Sequence, residues 1–285
     1  MTQSTVFPQA RVTIVGVVNL TPDSFSDGGR FVSRDADLDL EAAVAEAEAM
    51  VASGAGMLDV GGESTRPGAD EVPIDVEIAR TRPVIEALAK SIPVPISIDT
   101  RKSAVAEAAL EAGAAVVNDI SGLRFDPLLA KVTARAGAAI ILGHLRGDPT
   151  TMQRAVRFED VVEEVATELR ASANRALEEG IPAQRIGVDP GIGFGKRLAH
   201  NLDLIANVGR IREFVGLPVL VGPSRKSFLG ELTGDPVDRR IEATFAASAV
   251  AIFAGADAIR VHDVEGALRV AMVARALRDA RRDLT

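Results

Sequence analysis

Eight short runs of apolar residues, rich in β-branched side chains, recur along the chain, each followed by an amphipathic stretch or by room for one. That alternation confines the chain to a parallel sheet wrapped by helices. The runs are Thr13–Val18, Met57–Val60, Pro95–Ile98, Ala115–Val117, Ala138–Leu142, Ile186–Val188, Val219–Val221 and Ala258–Val261. Each is near-continuously apolar, the pattern of a strand covered on both faces. Helical patterns lie between them at Leu38–Ala52, Val76–Ala89, Ser103–Ala112, Phe158–Glu179, Leu202–Phe214 and Ile241–Phe253, and Val264–Leu277 closes the chain. Eight βα units predict an α/β fold closed as a (β/α)8 TIM barrel.

Length agrees with one such unit, since 285 residues is close to the ~250 usual for the fold. No linker, low-complexity tract or shift in composition divides the chain, so residues 1–285 are expected to form a single domain, with Met1–Arg11 a flexible N-terminal extension. Four segments, Ser53-Gly54-Ala55, Ala112-Gly113-Ala114, Ala136-Gly137-Ala138 and Ala254-Gly255-Ala256, place a glycine where a helix should end just before a strand.

The formal charge of −8 disfavours nucleic acid and anionic membranes as partners. The absence of cysteine removes disulfides, thiolate metal sites and a thiol nucleophile. No apolar stretch approaches the ~18 residues of a membrane span and no signal sequence opens the chain, so a cytoplasmic location is expected.

Polar residues gather at one end of the strands. Asn19 follows the first run, Asp59 and Gly61-Gly62-Glu63 the second, Asp99 the third, Asn118-Asp119 the fourth, His144 the fifth, Asp189 the sixth and Ser224-Arg225-Lys226 the seventh; Arg260 and His262 bracket the end of the eighth. In a barrel these ends converge on the mouth where active sites lie. Asp99, Asn118, Asp189 and Lys226 offer donors and acceptors suited to a flat, nitrogen-rich heterocycle, because a carboxylate accepts two parallel N–H bonds from a guanidine-like edge. Taken singly, any of these aspartates is more often a helix cap or a salt-bridge partner, and it is the constellation that carries the inference. Arg260 and His262, two apart and so on one side of a strand, form with Asn19 a candidate anion pocket, where an asparagine oxygen can also join a magnesium site.

Two glycine-bearing segments, Asn19 to Gly29 and Gly61 to Gly68, carry Asp27, Thr65 and Arg66 and look like mobile lids. The run from Gly222 to Phe228 opens a helix but lacks Walker spacing. His144, His200 and His262 lack the spacing of a zinc site.

These segments resemble the dihydropteroate synthases, from Gly-Val-Val-Asn-Leu-Thr-Pro-Asp-Ser-Phe-Ser-Asp-Gly-Gly and Val-Gly-Gly-Glu-Ser-Thr-Arg-Pro-Gly, through Ser-Ile-Asp-Thr and Val-Asn-Asp-Ile-Ser-Gly, to Asp-Pro-Gly-Ile-Gly-Phe-Gly-Lys, Gly-Pro-Ser-Arg-Lys-Ser-Phe-Leu-Gly and Arg-Val-His-Asp. The resemblance spans nearly the whole chain. It implies that Asp99, Asn118, Asp189, Lys226, Phe194 and Gly222 bind a pterin, with Asp189 and Lys226 at its pyrimidinone edge. It assigns Asn19, Asp27, Thr65, Arg260 and His262 to pyrophosphate, Asn19 also to Mg2+, and Phe25, Arg66, Pro67 and Ser227 to 4-aminobenzoate. Asp99, Lys226, Arg260 and His262 would carry catalysis.

The implied reaction is a transfer of an alkyl or aryl group other than methyl, in folate biosynthesis. Dihydropterin pyrophosphate and 4-aminobenzoate would give dihydropteroate and pyrophosphate by an SN1-like path through a pterin cation, with no covalent enzyme intermediate. A methyltetrahydrofolate methyltransferase also binds a pterin in a barrel mouth but needs no pyrophosphate clamp, and a silent pterin-binding paralogue would bind without turnover. One departure stands out: many family members have methionine where this chain has Gly143, which suggests an enlarged pterin pocket or filling by Leu142 or Leu145. The resemblance also implies sulfonamide sensitivity. The alanine- and valine-rich final helices suggest a homodimer face, and could equally pack on the barrel.

Overall fold

The structure is a computed structural model and describes residues 5–7, 11–21, 38–66, 68–148, 150–153 and 156–282. Eight parallel strands and ten α-helices alternate among these residues. The order is β1 (Thr13–Asn19), α1 (Leu40–Ala52), β2 (Met57–Gly61), α2 (Ile74–Ser91), β3 (Ile96–Asp99), α3 (Ser103–Glu111), β4 (Val116–Asp119), α4 (Leu129–Arg135) and β5 (Ala139–Gly143). It continues with α5 (Val161–Glu178), β6 (Ile186–Asp189), α6 (Leu198–Ala206), α7 (Val208–Val215), β7 (Leu220–Val221), α8 (Ser227–Thr233), α9 (Ile241–Ala254), β8 (Ala258–Val261) and α10 (Val264–Arg282). Strands pair in the order β6-β5-β4-β3-β2-β1-β8-β7, and a bridge between Val188 and Val219 joins the two ends into a TIM barrel.

All eight predicted strands form. Most run one residue further than the apolar pattern indicated, so Asn19, Gly61, Asp99, Asn118 and Asp189 are strand residues rather than loop residues. Strand backbone is held by neighbours on both sides, so these side chains start from a fixed frame. The four expected helix-ending glycines, Gly54, Gly113, Gly137 and Gly255, all have positive φ. In each, the next residue's N–H returns to the carbonyl five residues back, as in Ala55 to Met50 at 3.0 Å and Ala138 to Thr133 at 3.1 Å, the Schellman closure. The pattern Leu202–Phe214 is two helices, not one, broken at Asn207, where Gly209 comes so close to the end of α9 that a Cβ there would lie 2.7 Å from the Ala254 carbonyl oxygen.

Alternation with period two sorts each strand into two faces. Outward residues such as Ile14, Leu58, Ile140, Val188 and Ile259 join the large core shared with the helices. Inward residues at the N-terminal ends, Val15, Met57, Val116, Ala139, Ile141, Leu220 and Ala258, form a separate apolar layer inside the barrel. Val6 and Phe7 belong to this layer and are 1% and 3% exposed, and Val6 N–H donates to the Gln184 carbonyl at 2.9 Å. This part of the expected flexible extension is therefore packed: the open bottom of the barrel exposes apolar side chains that a nearby segment can cover.

Candidate active site

Two steps further along the strands, the same inward alternation turns polar. Met57 gives way to Asp59, Val116 to Asn118, Gly187 to Asp189, and Ala258 to Arg260 and then His262. Asn118 Nδ2 donates to Asp99 Oδ1 at 3.0 Å and to Asp59 Oδ2 at 3.2 Å. Arg260 donates to Asp59 at 3.1 Å and lies 3.6 Å from Asp189. Asp189 also accepts from Gly191 N–H at 2.7 Å, which fixes the strand-to-loop turn. A Cβ at Gly222 would come within 3.4 Å of Arg260 Nε, so this glycine keeps the space beside the guanidinium clear.

Lys226 reaches the mouth through a turn in which Arg225 has φ of 55°, a left-handed conformation costing about 1 kcal/mol for a residue with a Cβ. Arg225 N–H donates to Thr244 Oγ1 at 3.0 Å and Arg240 donates to the Arg225 carbonyl at 3.2 Å, which holds the turn. The Lys226 ammonium then lies 3.9 Å from the centre of the Phe194 ring. His262 Nδ1 is 2.9 Å from Ser224 Oγ, and the same hydroxyl oxygen accepts from His262 N–H at 3.4 Å. The Ser224 hydroxyl thus holds both the backbone and the ring of His262, which fixes the orientation of the imidazole.

Burial and the Asp59 charge push Asp99 up to about 8. Burial and Arg260 bring Lys226 down to about 8. Arg66 adds to the depression of Lys226, so the β2–α2 loop lies within electrostatic reach of the mouth. Arg260 is shifted upward: burial opposes its charge, and Asp59, Asp189 and Asp99 more than offset the burial. Two cations thus face three carboxyl groups, and a protonated Asp99 leaves the charges balanced at neutral pH.

The cluster unites Asp99, Asn118, Asp189, Arg260 and Gly222, and stacks Lys226 on Phe194. Asn19 ends β1 half-buried, in register with Gly61. Thr65 and Arg66 are half-buried in the β2–α2 loop, and Ser227 is exposed at the start of α8. Phe25, Asp27 and Pro67 lie outside the described residues.

Asp59 had no role assigned from sequence, although its position two residues before Gly61 puts it on the inward face. Asp119, grouped with Asn118 in sequence, points elsewhere: it accepts from Ser121 N–H at 2.8 Å and Leu123 N–H at 2.6 Å and stabilises Leu123 at φ 64°. His144 also faces away from catalysis. It bridges Glu168 at 3.2 Å and Lys196 at 3.0 Å, and burial brings it down to about 4, so it is a neutral structural link at physiological pH.

Gly143 does not enlarge the pocket. A Cβ there would lie 2.6 Å from Ile120 Cα and 2.9 Å from Ile120 O, so neighbouring backbone already occupies the volume. Leu142 packs outward in the main core, while Leu145 joins Ile120, Met152 and Phe194 in a small apolar cluster.

Carboxyl groups, an amide and two cations gathered at the strand ends and the β7–α8 turn above an apolar floor define a class: a barrel enzyme whose mouth is suited to a polar heterocycle beside an anion. Residues 15–262 match the family described as pterin binding enzyme. The dihydropteroate synthase of Synechocystis sp. is 44% identical over 268 residues, covering 94% of this chain and 90% of the relative. That of Escherichia coli strain K12 is 39% identical over 279 residues, covering 98% and 96%. The Yersinia pestis dihydropteroate synthase, solved with a sulfonamide drug, superimposes with a TM-score of 0.90 at 37% identity and 98% coverage of both chains. The Xanthomonas albilineans dihydropteroate synthase, solved with 4-aminobenzoic acid, gives 0.85 at 41% identity and 94% coverage of both. The chain belongs to the dihydropteroate synthase family of pterin binding enzymes, which are transferases.

Proposed function

We propose that this enzyme joins 6-hydroxymethyl-7,8-dihydropterin pyrophosphate to 4-aminobenzoate, giving 7,8-dihydropteroate and pyrophosphate. The observation that carries the reading is the joined cluster Asp99–Asn118–Asp59–Arg260–Asp189, which sets a heterocycle-binding edge directly beside a buried arginine. Asp189 accepts from the pterin 2-amino edge and Lys226 donates to its carbonyl, while Asp99 and Asn118 take the opposite edge. Arg260 and His262 bind the phosphate oxygens. Thr65 and Asp27 add contacts to pyrophosphate, and Phe25, Arg66, Pro67 and Ser227 surround the aminobenzoate.

Among the described residues no group of three or more His, Cys, Asp or Glu comes together to hold a metal ion. Asn19 alone suits Mg2+ of the kind held chiefly by phosphate oxygens and water. The chemistry such an ion supplies is neutralisation of charge on the departing pyrophosphate.

The path we favour is SN1-like. The C–O bond to pyrophosphate breaks first, with both electrons leaving on oxygen, and Arg260 and His262 receive the added charge. The exocyclic carbon cation is delocalised into the pterin ring, beside the Asp59 and Asp189 carboxylates. The aminobenzoate nitrogen then attacks that carbon, forming the C–N bond, and the resulting anilinium gives its proton to solvent. The protein acts as a homodimer through α9 and α10, which leave Val250, Phe253, Val273 and Leu277 exposed around an apolar groove of about 580 Å3.

The test is pyrophosphate release by purified protein with dihydropterin pyrophosphate and Mg2+, with and without 4-aminobenzoate. Release that depends on aminobenzoate and yields dihydropteroate is expected, with competition by sulfonamides. Pterin binding without product would make the chain a silent binding protein instead.

A further inference from the structure

Glu63 follows two glycines at the end of β2 and none of the chemistry above uses it. Its side chain is 7% exposed, beside Lys102 at 4% and Glu77 at 1%. Glu63 Oε2 accepts from Val72 N–H at 2.9 Å and from the Lys102 ammonium. Glu63 Oε1 accepts from Arg101 Nε at 3.1 Å. Lys102 also donates to the Val72 carbonyl at 2.5 Å and to Glu77 Oε2 at 2.8 Å. One peptide segment is thus gripped through both its N–H and its C=O by two side chains that also bind each other.

The grip joins positions nine residues apart. Everything between them, Thr65 and Arg66 included, hangs from a closed base. The base itself has little freedom. Arg80 donates to the Gly62 carbonyl at 3.0 Å, and a Cβ at Gly62 would lie 2.8 Å from Thr81 Cγ2. Arg101 stacks on Phe125 at 3.9 Å and reaches Glu71 at 3.5 Å. Sequestering four charges costs desolvation that an apolar plug would avoid, so the return here is geometry rather than stability.

We propose that Glu63 is a positioning residue: with Lys102 it latches the base of the β2–α2 loop so that Thr65 and Arg66 are presented to the substrates at a fixed height over the mouth. This rests on the reading of Thr65 as a pyrophosphate contact and Arg66 as an aminobenzoate contact. A loop with a latched base reorders fewer residues when the second substrate arrives, so the benefit falls on aminobenzoate capture rather than on the pterin site below.

The experiment compares full-length wild type with Glu63→Gln and Lys102→Met, and uses Lys102→Arg as the conservative variant. Three quantities are read: KM for 4-aminobenzoate, the affinity for the dihydropterin lacking pyrophosphate, and amide hydrogen exchange across residues 64–72. The latch predicts a rise in aminobenzoate KM of roughly tenfold or more, pterin affinity within about twofold of wild type, faster exchange across the loop, and a return towards wild type in Lys102→Arg. Unchanged aminobenzoate KM and exchange in both variants would overturn it, as would pterin affinity falling in parallel with KM, the sign of general structural loss. If wild type makes no dihydropteroate, the functional reading fails, and exchange alone then decides the latch: faster exchange supports it and unchanged exchange overturns it.

Discussion

Arg260 and Asp59 face each other across 3.1 Å inside the barrel, and the same carboxylate oxygen accepts from Asn118 at 3.2 Å. Asp59 therefore couples the phosphate side of the mouth to its heterocycle side. Asp59→Asn keeps the shape but removes the charge that orients Arg260 and adds to the upward shift of Asp99. Steady-state kinetics should show kcat/KM for the pterin pyrophosphate falling by about 10- to 100-fold, with the circular dichroism spectrum preserved. Wild-type kinetics in this variant would refute the coupling.

Activity should fall on the alkaline side through the groups at about 8. Lys226 is charged below its lowered value, so the ammonium that donates to the pterin carbonyl is lost as pH rises through that point, while Asp99 gains charge over the same range. A pH profile of kcat/KM for the pterin substrate should be level near neutrality and fall at least about tenfold per unit well above 8. A profile still level two units higher would contradict these assignments.

Placing at position 143 the methionine that the family resemblance suggests there should harm the protein. The Cβ would meet Ile120 backbone at 2.6 Å, and backbone cannot rotate away as a side chain can. Overpacking of this kind costs about 1–3 kcal/mol, or a melting temperature lower by roughly 2–5 °C. Calorimetry on Gly143→Met would register this, and an unchanged or higher melting temperature would show that the Ile120 segment can yield.

The apolar face of α9 and α10 gives a prediction about assembly. Val273 is 62% exposed on the groove, and a glutamate there would set a charge among the apolar side chains that a dimer buries. Light scattering should report twice the chain mass for wild type and a shift to monomer for Val273→Glu. A wild-type monomer at micromolar concentration would rule the interface out.

The sequence by itself determined the barrel, all eight strands and the end of the barrel that carries the chemistry, because apolar period, helix-ending glycines and polar strand ends are local signals that survive without knowledge of neighbours. Asn118, which the sequence reading put in the site, turns into the mouth, and Asp119, to which it gave no role, turns to cap its own loop, because adjacent residues on a strand take opposite faces. It left Asp59 without a role and misjudged Gly143, because the partners that decide them, Arg260 and Ile120, are brought close only by closure of the barrel. The pairing of Glu63 with Lys102 and Val72 joins separate loops in the same way. Such contacts, and the charge balance that shifts Asp99 and Lys226, depend on distance and burial, which tertiary structure alone supplies.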